Sequence, residues 1–324
     1  MQAEINIPNW ATHVVSDNTD MDRSPHPVDS SRVKSFRIRL PDDVYFEYAF
    51  IDGEGRMRAD PGNDLRAANP WYPEVSAIVG PEYRSSEYAD LPEEIASGRL
   101  DRHRLESVRL GGVRRMTVYT PHGHEDAGMP LVIVHDGTAF LRLAGLPRVL
   151  EALLAQGKAR PGRLAFVEPA DRSAEYGFNE EYRAFTLEEL LPFLEARYPM
   201  RGEPLLMGAS LGGLVSATMA LLHPERFSGL ATFSGAFLGT PGDRDFYGSD
   251  ESWVLGQLKG RKSLPLRWYS EVGTIEWLTD VNREVHRELA GKAADHEYRE
   301  RHAGHNWTNW RNGLGNALEF LLRP

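Results

Sequence analysis

The spacing of apolar residues changes character about a third of the way along the chain. Before residue 100 it runs near a period of two. VKSFRIRL (33–40) alternates polar and apolar residues, and VYFEYAFI (44–51) is aromatic and β-branched and ends at Asp52-Gly53, a turn pair. RMRADPGNDLRAANPWYP (56–73) follows, rich in turn formers. Residues 1–30 alternate too little to place strands. The pattern predicts a small antiparallel β-sandwich over this region.

Residues 84–104 are polar and charged, and read as a linker with one helical turn. Strand and helix patterns then alternate. Strands are expected at 113–121, 130–137, 163–169, near 204–208, at 229–235, 265–273 and 297–304. Helices are expected at 147–158, 187–197, 211–222, 280–291 and from the last strand to Leu322. Thr186-Leu187-Glu188-Glu189 has the form of a capping box for the second of these helices. LVIV and LLM are short unbroken apolar runs, as strands buried on both faces require. Alternation of this kind predicts a largely parallel sheet with helices on both faces. The organisation expected is an N-terminal β-rich domain with its linker over 1–100 and an α/β domain over 101–324. Residues 238–262 interrupt the sheet pattern and are long enough to form a lid.

Composition narrows the possibilities. A net charge of −10 argues against nucleic acid and anionic membrane as partners. No apolar run is long enough to span a bilayer, and the opening MQAEINIPNW lacks the form of a secretory signal. The 324 residues include no cysteine, which excludes disulfides and thiolate chemistry. A cytoplasmic location is the expectation. His122-Gly123-His124-Glu125-Asp126 places histidines beside acids, but in a polar inter-strand loop, and no metal or cofactor is expected there.

Gly208-Ala209-Ser210-Leu211-Gly212 lies at a strand–helix junction and is followed by Gly213. Glycines on both sides let strand and helix meet closely while the serine stands on a sharp turn at a helix N-terminus. Such a serine needs a base, held in turn by a carboxylate. His223 precedes a proline at a helix end, His286 and His296 lie on or beside an amphipathic helix, and His302 lies within a strand. His305, past the last strand, is the expected base. Glu276, in the turn after strand 265–273, is the expected acid, with Glu271 in reserve; Asp280 starts the next helix and reads as its N-cap. Leu211 N–H and Thr138 N–H are the expected oxyanion donors. Asp136 and Gly137 from the same loop, with Arg172 and Trp307, are expected at the substrate.

VYTP (118–121), VHDGTAF (134–140), DRSAEYGFNEEYRAFTLEELLPFL (171–194), GASLGGL (208–214), HPERFSG (223–229), VGTIE (272–276) and AGHNWTNWRNGL (303–314) together resemble the esterase D-like family of α/β-hydrolases, and within it the enterochelin esterases. The resemblance implies an α/β-hydrolase fold and a triad of Ser210, Glu276 and His305, with Thr138 as oxyanion donor. YFEYAFIDGEGRMRADPGN (45–63) is similar to the immunoglobulin-like domain that precedes the catalytic domain in that group. Two positions depart from the pattern: the family usually has aspartate where Asn306 stands, and often aspartate where Glu276 stands. The implied partner is a small-molecule ester or lactone. For a catecholate siderophore, Arg142, Arg148, Arg172, Arg183 and Arg311 are candidate cations, and Trp71, Trp307 and Trp310 candidate stacking surfaces. Acyl transfer on the same fold, a feruloyl- or acetyl-type esterase acting on a carbohydrate-linked ester, and a non-catalytic glycan-binding protein are the alternatives.

Overall fold

The structure, a computed structural model, describes residues 1–18, 25–67, 69, 72–95, 97–243, 248–249 and 251–324. They form two compact units: Met1–Ser86 with Val272–Thr279 and Glu300–Asn312, and Glu87–Glu271 with Asp280–Arg299 and Gly313–Pro324. Trp71 lies outside the described residues, as do 244–247 and 250 of the expected lid.

In the first unit, β1 (Gln2–Asn6) pairs antiparallel with β4 (Ser35–Arg39). A five-stranded sheet orders β3 (His26–Pro27), β2 (Ala11–Ser16), β5 (Tyr45–Asp52) and β6 (Met57–Arg58), with β7 (Ser76–Val79) also on β5. β5 is buried on both faces because its alternate residues enter different cores. Phe46, Tyr48 and Phe50 pack with Ile5, Leu40 and Val44, while Tyr45 and Ala49 pack with Val15 and Ala77. Each such aromatic contributes on the order of 1.5–3 kcal/mol of burial. The turn expected at Asp52-Gly53 forms, with Asp52 Oδ1 accepting the N–H groups of Glu54 and Arg56 at 2.9 Å each. The sequence pattern missed β1, β2 and β3. QAEIN buries only Ile5, and β3 is two residues long, so neither carries a readable alternation.

Although residues 272–279 and 300–312 of its last elements and turns belong to the first unit, most of an eight-stranded sheet with its helices lies in the second. Its elements are β8 (Arg99–Ser107), β9 (Gly112–Thr120), β10 (Leu131–Val134), α1 (Leu146–Ala155), β11 (Arg163–Val167), α2 (Arg172–Tyr176), α3 (Glu180–Ala184), α4 (Leu191–Glu195), β12 (Leu205–Ala209), α5 (Leu211–Leu222), β13 (Gly229–Phe233), α6 (Trp253–Lys259), β14 (Leu264–Gly273), α7 (Thr279–Leu289), β15 (Ala293–Arg301) and α8 (Trp307–Leu321). The order is β15-β14-β13-β12-β10-β11-β9-β8. β10 to β14 pair in parallel, and β9 runs antiparallel to β8 and β11. From β10 the chain goes first to β11 on one side and then to β12 on the other. The carboxyl ends of β10 and β12 therefore flank the switch point where open α/β sheets place their ligands.

Two expectations need correction. The polar stretch read as a linker supplies β8, an antiparallel edge strand whose residues are mostly exposed or half-buried, so no apolar face marks it. The helix expected from residue 187 belongs to a helical run that already begins at Glu180. Asn179 caps it, accepting from Tyr182 N at 3.0 Å. Thr186 lies inside this run and donates its hydroxyl to Tyr182 O, so its capping box is not used. The stretch 238–262 contains α6, capped by Ser252. No helix among the described residues is long and apolar enough to cross a membrane.

Candidate active site

Ser210 sits at the junction of β12 and α5 with φ 55° and ψ −119°, a conformation that L-residues rarely adopt. Its N–H donates to Phe233 O at 2.8 Å, and its carbonyl accepts from Leu214 N and Ala236 N at 3.0 Å each. These bonds hold the strained residue in place. A Cβ at Gly208 would stand 2.3 Å from the Gly212 backbone, and one at Gly213 would stand 3.1 Å from Gly235 Cα. Strand and helix thus cross where no side chain fits. Asp136 (φ 56°) and Ser234 (φ 46°) repeat the positive φ at the ends of β10 and β13. Three neighbouring parallel strands therefore end in strained residues, each at a cost of roughly 1–3 kcal/mol.

α5 is buried along almost its whole length. The first N–H groups of such a helix have no carbonyl within it, which leaves Leu211 N–H, next to Ser210, as a donor for developing negative charge. The hydroxyls of Ser216 and Thr218 bond back to Gly212 O and Leu214 O at 2.7 and 2.8 Å, so the apolar surroundings meet no unpaired hydroxyl. Behind the helix, His135 Nδ1 donates to Ser216 Oγ at 3.0 Å. Burial holds His135 neutral, with its pKa pushed down to about 4.

Asp136 and Arg172 engage each other and the turn. The Arg172 guanidinium makes two 2.8 Å bonds to the Asp136 carboxylate, and Nη2 also donates to Ala209 O at 3.1 Å. Asp136 N–H donates to Tyr176 Oη at 3.0 Å, and the Arg172 guanidinium lies 5.8 Å from the centre of the Tyr176 ring. This clamp grips the carbonyl just before Ser210, and Tyr176, fully buried, has no sequence signal beyond its place in the 171–194 stretch. A Cβ at Gly137 would stand 2.5 Å from the Phe166 backbone, so this loop also needs its glycine. Thr138 N–H donates to Glu168 Oε2 at 2.8 Å. Arg148 and Arg183 each donate to a backbone carbonyl, of Leu91 and Phe178 respectively.

In the other unit, His305 and Glu276 meet. Nδ1 and Oε2 are 2.5 Å apart, and Glu276 Oε1 accepts Gly273 N–H at 2.7 Å. Glu276 is 5 % exposed. A Cβ at Gly273 would lie 2.1 Å from Ala303 O, so only glycine lets these two segments come so close. Trp277 lies 4.5 Å and Trp310 5.0 Å from the His305 ring centre. Trp277, adjacent to Glu276, was not singled out from the sequence. Trp307 is 1 % exposed and packs edge-on against Trp310. Glu271, the reserve acid, accepts from the Tyr269 hydroxyl and lies against Gly313 of α8, where a Cβ would approach its carboxylate to 2.5 Å. His302 pairs with Asp43, and His223 is the C-cap of α5.

Comparison with known proteins agrees with this architecture. A family model described as "Putative esterase" matches residues 107–321. An iron(III) enterobactin esterase of Dickeya dadantii (strain 3937) is 31% identical over 234 residues, which cover 67% of this chain and 53% of that protein. The chain thus spans about half the length of this curated relative. The ferric enterobactin esterase structure from Salmonella typhimurium superposes with a TM-score of 0.75 at 22% identity, covering 99% of this chain and 92% of that one. A ferulic acid esterase superposes with a TM-score of 0.57 at 19% identity, over 70% and 98% of the two chains. At these identities the structural likeness is one of fold. With residues 107–321 matched by its model, the chain belongs to this esterase family.

Proposed function

We propose that the protein is a serine carboxylic-ester hydrolase that works through an acyl-enzyme, with Ser210 as nucleophile, His305 as base and then acid, and Glu276 orienting His305. The contact of His305 Nδ1 with the Glu276 carboxylate, 2.5 Å long, carries this reading. A carboxylate against Nδ1 keeps the ring proton there and leaves Nε2 to accept one. As Ser210 Oγ attacks the ester carbonyl, its proton passes to His305. The tetrahedral oxyanion is held by Leu211 N–H and Thr138 N–H, the latter once the Glu168 carboxylate has swung away. Collapse expels the alcohol with the proton from His305, and water repeats the cycle on the acyl-enzyme.

The Arg172–Asp136 clamp acts on the turn, so we read both as groups that position Ser210 rather than grip substrate. Residues 101–324 hold the hydrolase domain in this reading, and an immunoglobulin-like module precedes it. An ester or lactone on a catecholate scaffold is the first substrate candidate, because the relative from Dickeya dadantii is named for enterobactin. A feruloyl ester is the second, from the fold shared with the ferulic acid esterase.

The test compares p-nitrophenyl acetate, a feruloyl ester and a catecholate trilactone with wild type and Ser210→Ala. The substitution is expected to remove on the order of 10³-fold or more of turnover. Turnover that survives it in a clean preparation rejects the reading, and the ratio of kcat/KM among the three esters assigns the substrate class.

A further inference from the structure

The His305 turn is held by a carboxyl that comes from far away in the sequence. Asp17 follows β2 and continues its pairing with β5, its N–H donating to Glu47 O at 3.0 Å. The side chain is 1 % exposed. Oδ2 accepts Glu47 N–H at 2.7 Å and Asn306 Nδ2 at 2.8 Å. On the other side of the histidine, Gly304 lies so close that a Cβ there would stand 2.0 Å from Asp17 Cβ. Both chain neighbours of His305 are therefore placed by one residue.

Asn306 uses both ends of its amide. Oδ1 accepts Asn309 N–H at 2.8 Å, which caps the start of α8, while Nδ2 goes to Asp17. Asn309 closes the turn by donating Nδ2 to Gly304 O at 3.2 Å. An aspartate at 306 caps a helix equally well, but it has no N–H to give and would set a second carboxylate against Asp17. Among the described residues, Asp17 Oδ1 and Glu47 Oε1 have no hydrogen-bond partner, and neither carboxyl has an ion pair. Burial, and then the Glu47 charge, push the Asp17 carboxyl well above its ordinary range, and burial does the same to Glu47. A second charge at 306 would be disfavoured for the same reason.

We propose that Asp17 is a positioning residue for the esterase reaction, matched to Asn306, and that together they fix the turn presenting His305. The inference rests on the reading of His305 as the base. Its test is a swap. Turnover of p-nitrophenyl acetate is measured per Ser210 labelled by a fluorophosphonate, in wild type, Asp17→Asn, Asn306→Asp, Asp17→Ala and the double variant Asp17→Asn/Asn306→Asp. Asn306→Asp and Asp17→Ala are expected to lower kcat by about 10²-fold with KM nearly unchanged, as a base displaced by roughly 1 Å does. The double variant places an amide at 17 and a carboxylate at 306, which restores the 17–306 bond but not the one from Glu47 N–H, and is expected to recover part of the loss. A role confined to stability would lower the yield of folded protein but not kcat per labelled serine.

If Asn306→Asp does not fold, a double variant that folds with near wild-type kcat supports the pairing equally. The inference is overturned if Asp17→Ala keeps wild-type kcat, or if the double variant is no better than the worse single one. Absence of Ser210-dependent turnover in wild type is a different result, seen before any Asp17 variant is made. It rejects the hydrolase reading itself.

Discussion

At the scale of single residues, two glutamates five positions apart have different partners. Glu276 faces His305, whereas Glu271 is tied to Tyr269. Glu276→Gln is expected to lower kcat by roughly 10²–10⁴-fold, because an amide no longer stabilises the imidazolium or enforces its tautomer. Glu271→Gln is expected to leave kcat within a few-fold and to lower unfolding free energy by about 1–3 kcal/mol through its buried partner. Paired kinetics and thermal melts separate the two. Glu168 offers another check, since its carboxylate occupies Thr138 N–H. Glu168→Ala is expected to raise kcat a few-fold by freeing that donor for the oxyanion; unchanged or lower kcat would remove Thr138 from the hole. The sharp turn at Ser210 was legible because its glycines sit next to it in sequence. The choice between the two glutamates was not, because 271 and 276 both lie at or just past a strand end and only packing turns one side chain away. Asp17 and Tyr176 were invisible for a related reason: their partners Asn306 and Asp136 lie 289 and 40 positions away.

At the scale of elements, glycines report where backbones touch. Gly208→Ala sets a Cβ against Gly212 at 2.3 Å and is expected to cost several kcal/mol or prevent folding. Gly256 lies inside α6 with nothing within 4 Å of an added Cβ. Gly256→Ala is expected to stabilise by about 0.5–1 kcal/mol, read as a higher urea midpoint with unchanged slope. Elements with strong, unbroken apolar runs could be read from sequence: β10, β12 and α5 fall where expected. Elements made by pairing rather than by pattern could not. β8 is polar because one face of it is exposed, and β1 to β3 are short strands whose neighbours, not their own composition, make them strands. The capping box at Thr186 shows the converse, a good local signal overridden by a helical run already under way.

At the scale of the whole molecule, one buried and one half-buried histidine make stability depend on pH. His135 and His296 are both pushed down from about 6.5 to about 4, His135 by burial and His296 by burial and then by His286. The unfolded chain binds these protons more readily than the folded one, so stability is full above about pH 6.5 and falls as pH drops toward 4. Thermal melts across that window are expected to show a falling midpoint in wild type and a flatter curve in His296→Gln. Asp17 and Glu47 act in the opposite sense: their folded pKa values are raised, so their contribution is lost as pH rises through them. Glu47→Gln is therefore expected to help more at pH 8 than at pH 5. The discontinuous make-up of the first unit has a consequence for synthesis. Its strands are made well before Val272–Thr279 and Glu300–Asn312, which the unit also contains. A ribosome must pass residue 312 before this unit can close. Until then the Asp17 carboxyl lacks the Asn306 amide that donates to it in the folded unit, and this corner of the unit stays open to chaperones.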